Sequence, residues 1–150
     1  MTFARLRFAV ALLAFVAWLG WLAAAVALKG DPILSRAQLL NATHLVYAEV
    51  TVGDDGLPRS GATVVEVALG EAVTGNITVL NLSKALPAGA KSFPGPGVYL
   101  LPLNGDGKTF RVVGLPRSPG YDAADPVRPV IYPATAATRL QLQRLLEQRP

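Results

Sequence analysis

From Phe8 to Leu28 the chain carries 21 consecutive residues without a charge, a proline or a strongly polar side chain. At about 1.5 Å rise per residue, a helix of this length spans roughly 30 Å, the hydrocarbon thickness of a bilayer. No water is present there to satisfy backbone amides and carbonyls, and a single span closes those bonds only as a helix. The run therefore predicts a transmembrane helix over residues 8–28, with Trp18 and Trp21 in its second half, toward one interface.

Arg5, Arg7 and the terminal amine precede the run, whereas Lys29 is followed closely by Asp31. The positive-inside tendency then places the N-terminus in the cytoplasm and the remainder outside it. Ala23-Ala24-Ala25 and Ala25-Val26-Ala27 also offer the small-residue pattern of a cleaved secretory signal. A signal's apolar region is usually about 7 to 15 residues, shorter than this run, so a retained signal anchor is the expectation. Secretion after cleavage near residues 25 to 27 is the alternative, and both export the same domain.

The formal charge of +4 points to nucleic acid only until it is divided. Setting aside Arg5, Arg7 and Lys29 leaves 11 basic residues against 10 acidic ones. No basic stripe with interleaved aromatics occurs in the exported part, so a nucleic-acid partner is not expected. There is no cysteine, which excludes disulfides, thiolate chemistry and Cys-based metal sites. An exported part of about 120 residues is large enough to be stable on one packed core.

Gly30-Asp31-Pro32 punctuates the end of the membrane run, and Ser35-Arg36-Ala37-Gln38 fits a capping box that opens a short helix over 35–42. His44 to Val52 alternates, with Val46, Ala48, Val50 and Val52 on one side, which predicts a strand. Ala62–Leu69, Asn76–Leu82, Val98–Leu103 and Thr109–Gly114 follow as further strands, the first two strands forming a hairpin with a long loop. Asn104-Gly105-Asp106-Gly107 is the clearest turn signal. Val46, Val50, Val65, Val67, Val79, Leu100 and Val112 are the expected core. Five prolines from Pro116 to Pro133, with Gly120 among them, argue against regular structure there, and Leu142, Leu145 and Leu146 recur at helical spacing near the C-terminus, with Arg139, Arg144 and Arg149 outward.

The chain thus divides into a cytoplasmic N-terminus (1–7), a membrane helix (8–28), a linker (29–34), a β-barrel domain (35–114), a proline-rich extended arm (115–133) and a C-terminal helix (134–150). The expected class is mainly β: a small five-stranded antiparallel OB-like barrel with a short helix before it and an amphipathic helix after it. A partly open two-layer sandwich is the alternative. The segments Ala42–Val50, Val64–Gly70, Ile77–Val79 and Gly97–Leu101 resemble, in their hydrophobic spacing, the strand succession of netrin-module/tissue-metalloproteinase-inhibitor-like OB domains of bacterial exported proteins, over roughly residues 42–113. Those inhibitors engage a catalytic zinc through an N-terminal cysteine, which is missing here, so their inhibitory residues do not carry over.

Catalytic chemistry has little material. His44 is the only histidine, and it serves as readily as a polar strand start as it would as a base beside Glu49 or a serine. Asp54, Asp55, Asn104 and Asp106 would approach a calcium site only if two hairpins shared one barrel end, and turn chemistry explains all four. No phosphate-binding glycine motif occurs, and no cofactor or metal is expected. The sequence points to a non-enzymatic, membrane-tethered module whose partners are the lipid bilayer and a protein in the periplasm or at the cell surface. Structural accessory subunit and exported enzyme are the alternatives. The arm is the expected partner-binding segment, with Arg117, Tyr121, Arg128 and Tyr132 as contacts of types enriched at binding hot spots. The same arm could instead only carry the chain across the barrel, pinned by Tyr121 and Tyr132.

Overall fold

The computed structural model describes residues 3–28, 34–115 and 129–148. The chain divides into two units, Met1–Asp31 and Pro32–Pro150. The first unit holds one helix, α1 (Phe3–Leu28). Its large side chains from Val10 to Trp21 are exposed on every side: Val10, Leu12, Leu13, Phe15, Val16, Trp18, Leu19 and Trp21. Such a helix has no polar stripe against which a soluble core would select an apolar one. Among the described residues no helix is long and apolar enough to cross a membrane. The described side chains of α1 run over 10–24, and the charge-free run of the sequence continues past them at both ends.

The second unit opens with α2 (Arg36–Asn41), then β1 (His44–Val52), β2 (Pro58–Leu69), β3 (Gly75–Val79), a 3-10 turn (Leu82–Lys84) and β4 (Leu86–Pro87). β5 (Gly97–Asp106), β6 (Thr109–Val112), β7 (Val130–Pro133) and α3 (Ala136–Glu147) complete it. Neighbouring strands run β1-β2-β3-β6-β5, and β5 pairs back onto β1, which closes a five-stranded OB-like barrel. A ring with an odd number of strands cannot alternate direction all the way round, so one pair must be parallel. That pair is β3–β6, with Thr78 opposite Thr109 and Val79 opposite Phe110. The barrel is therefore mixed, not wholly antiparallel as expected.

The barrel interior is filled from every strand of the ring, by Val46, Ala48, Val50, Ala62, Ile77, Val79, Tyr99, Leu101, Leu103, Phe110 and Val112. A second core lies outside the wall, where Leu34, Leu39 and Ala42 from the α2 side and Leu142 from α3 cover Leu45, Tyr47, Leu100 and Tyr132. β1 is thus buried on both faces from His44 to Ala48. Leu100 is buried as expected but belongs to this outer core.

β2 departs from the expected faces. Tyr47 pairs with Glu66 and Ala48 with Val64, so Val65 is the extra residue of a β-bulge. The bulge turns Val65 outward, 58% exposed, while Val64 and Val67 pack partly against the interior. Val65 is therefore not a core residue. β2 also begins at Pro58, earlier than expected, which shortens the connection from β1. β5 continues through Asn104 and Gly105 to Asp106, and the chain reverses at Gly107-Lys108, with Asp106 opposite Thr109. The end of the arm is not irregular: β7 pairs with β5 through Tyr99–Pro133 and Leu100–Tyr132, and β4 adds beside it in parallel.

Candidate functional site

The sequence pattern Ser35-x-x-Gln38 forms only half of its capping box. Ser35 Oγ accepts from the Gln38 amide at 3.3 Å. The Gln38 side chain does not reach back; it turns into the protein and is fully buried. Its Nε2 donates to the carbonyls of Val113, at 2.5 Å, and Val130, at 2.8 Å. Its Oε1 accepts from the Tyr132 hydroxyl at 2.6 Å, and that hydroxyl accepts from the Ser35 amide at 3.1 Å. Val113 and Val130 stand on either side of residues 116–128, next to the bridge between Gly114 and Pro129. One side chain of α2 thereby holds both ends of the arm together.

Of the four expected contacts, Arg117, Tyr121 and Arg128 lie outside the described residues. Tyr132 does not project to a partner: it is 1% exposed and its hydroxyl is engaged on both sides. Burial raises its hydroxyl above the usual tyrosine pKa, against the Ser35 N–H, which pulls it down. It pins the arm's C-terminal base to the barrel. Gln38 was missed as a functional position because a capping glutamine and a buried clamp look alike in sequence.

Arg139 of α3 is not simply outward. Its guanidinium lies 4.1 Å from the centre of the Tyr47 ring and bonds Glu66 of β2 at 2.6 Å. A groove of about 650 Å³ runs here between α3 and β2, with Val67, Ala68 and Leu146 among its walls. Burial raises the Tyr47 hydroxyl; Arg139 opposes this and Glu66 adds to it. On the outer face of β1, β2 and β3 a smaller groove, of about 320 Å³, presents Glu49, Thr51, Thr63, Asn76 and Thr78, with no aromatic or basic side chain in its lining. Base stacking and phosphate binding need those side-chain types.

The four loop oxygens separate. β1 and β5 run antiparallel with His44 opposite Leu103 and Val50 opposite Gly97, so the β1–β2 connection and the β5–β6 hairpin occupy opposite barrel ends. Asp55 Oδ1 caps its own turn by accepting from the Leu57 amide, and Asn104 Oδ1 accepts from the Thr43 amide. Asn81 Oδ1 accepts from the Val112 amide and its Nδ2 donates to the Val112 carbonyl, so the side chain extends the β3–β6 pairing. Among the described residues no group of three His, Cys, Asp or Glu could hold a metal ion. No protein-family model, curated protein or solved structure matches the chain.

Proposed function

We propose that the chain is a membrane-tethered binding or assembly module without catalytic activity, with α1 seated in the bilayer and the barrel outside the cytoplasm. The observation that carries this reading is the exposure of eight large apolar side chains around α1, a surface that water does not tolerate and that lipid or another membrane helix covers. The arm is the proposed partner contact. Its ends are clamped by Gln38, and its prolines reduce the entropy lost when an extended segment is held on a surface. Kinship with netrin-module-like exported OB domains belongs to the same proposal and rests on strand succession.

The test is cross-linking in intact cells. Arg117→Ala with Arg128→Ala should leave folding intact and lose a partner that the wild type captures. Recovery of every partner by this variant would reduce the arm to a connector. A second reading, accessory subunit of a membrane complex, is favoured by Gly20, beside which a Cβ would meet nothing within 4 Å, leaving room for a close neighbouring helix. Exchanging α1 for an unrelated membrane helix separates the two: a tether keeps its partner and a packing helix loses it.

A further inference from the structure

α2 has six residues, too few to hold a helix by itself, and the barrel unit holds it. Gln38 and Leu39 are buried, the Leu34 amide donates to Gln141 Oε1 of α3 at 3.3 Å, and the Ser35 amide donates to the Tyr132 hydroxyl. The side of α2 left exposed is thereby fixed, and it carries Arg36, Ala37 and Leu40. Leu40 is 50% exposed, although Leu39 beside it is packed away. Between α2 and α3 runs a crevice walled by leucines, Leu40, Leu145 and Leu146 among them, with Arg36 as the one charged side chain in its lining. Its volume of about 20 Å³ has room for about one water, so these leucines make a surface and not a ligand pocket.

The charge on this surface is basic. α2 has no acidic residue, and on α3 Arg144 precedes Leu145 and lies one turn beyond the exposed Leu140. Glu147, the acidic residue of α3, accepts from Gln143, and both line the groove on the β2 side of the helix. Among the described residues the ion pair formed is Arg139–Glu66, so Arg36 and Arg144 have no carboxylate partner there. Only residues 29–33 join the apolar run to Leu34, a length that reaches about 20 Å when fully extended. Whatever holds the run is therefore within reach of α2 at all times, which raises its effective concentration at this face.

We infer that the α2–α3 face docks on the anionic phospholipid surface of a bilayer, with Leu40 and the leucine rim at the acyl boundary and Arg36 and Arg144 on lipid phosphate. The inference rests on the proposed seating of α1 in lipid. A leucine one turn from an arginine, present on both helices, gives an interface its apolar contact and its phosphate ligand together.

The chain separates the two claims by its own composition. Its two tryptophans are Trp18 and Trp21 of α1, and it has no cysteine, so Ala37→Cys carries a single fluorophore on α2. The full chain is placed in nanodiscs of phosphatidylcholine with phosphatidylglycerol, or of phosphatidylcholine alone. Lipids brominated in their acyl chains should quench the tryptophans in both. Lipids with a nitroxide headgroup should quench the Ala37 label in the mixed discs, and should spare a label at Thr63→Cys on the outer face of β2. Arg36→Gln and Arg144→Gln should each lower the ratio of quenched to free label about fivefold, and added salt should act in the same direction. Tryptophans quenched with the Ala37 label spared, or with the Thr63 label quenched as strongly, would overturn the docked face and leave the tether standing. Equal quenching of the Ala37 label without phosphatidylglycerol would overturn the anionic class. Shielding of that label that requires two copies in one disc would give the face to a second copy of the chain. Unquenched tryptophans would overturn the tether and the docking with it.

Discussion

Gln38 concentrates three hydrogen bonds on a fully buried side chain, and that sets what its loss should do. Gln38→Leu leaves the Val113 and Val130 carbonyls and the Tyr132 hydroxyl each short of a partner. An unsatisfied buried polar group costs about 1–3 kcal/mol, and partial relaxation makes about 3 kcal/mol in all the expected loss in urea unfolding. Tyr132→Phe removes one hydroxyl and strands the Ser35 amide and Gln38 Oε1, so about 1–3 kcal/mol is expected. Tyr132 also makes stability depend on alkaline pH. Its folded pKa lies above the ordinary 10.0, so the folded state holds the proton longer than the unfolded state does. The stabilisation is fully present below pH 10.0 and is lost as pH rises through the folded value. Tyr47 and Tyr99 are raised by burial too, so Tyr132→Phe should reduce, not abolish, the fall in melting temperature measured above that pH.

At the scale of elements, the bulge in β2 gives the sharpest contrast. Val50 is fully buried in the barrel, whereas Val65 is turned out by one extra residue. Val50→Ala should cost about 1–3 kcal/mol through lost contacts and the cavity left, and Val65→Ala less than about 0.5 kcal/mol. Equal losses in thermal unfolding would mean that the bulge is misplaced. Period-two alternation was enough to locate β1 and the cores of β2, β3, β5 and β6, because one face of each is buried in the barrel. It could not reveal the bulge, since Val64, Val65 and Val67 are chemically alike and only pairing with Tyr47 and Ala48 selects among them. β7 escaped because Pro129 and Pro133 flank it and read as strand breakers. Both sit at its ends, where a missing amide costs no central ladder bond. The clamp at Gln38 was illegible for a related reason: it joins residues far apart in sequence, and only the folded barrel brings them together.

For the whole molecule, the two units pose different solvent problems. The barrel unit buries most of its large apolar side chains in two cores, with exposed ones such as Leu40, Val65, Leu80 and Leu140 scattered over different elements, and the sequence outside the apolar run is near charge balance. Residues 30–150 alone should therefore be soluble and mainly β by circular dichroism. α1 is the reverse case, an apolar helix whose exposed leucines, phenylalanine and tryptophans have no core of their own. If lipid covers it, a reporter active only outside the cytoplasm, fused after Pro150, should give strong signal, and carbonate washing should leave the protein in the membrane pellet. On the proposed topology the arginines at positions 5 and 7 supply the orientation, so moving two positive charges from the front of the run to residues 29–31 should weaken or invert the reporter signal while membrane retention persists. A soluble product beginning near Val26 or Leu28, identified by mass spectrometry of the culture supernatant, would replace the anchor with a cleaved signal. Under that outcome the proposed export of the barrel would stand, but its tether would not.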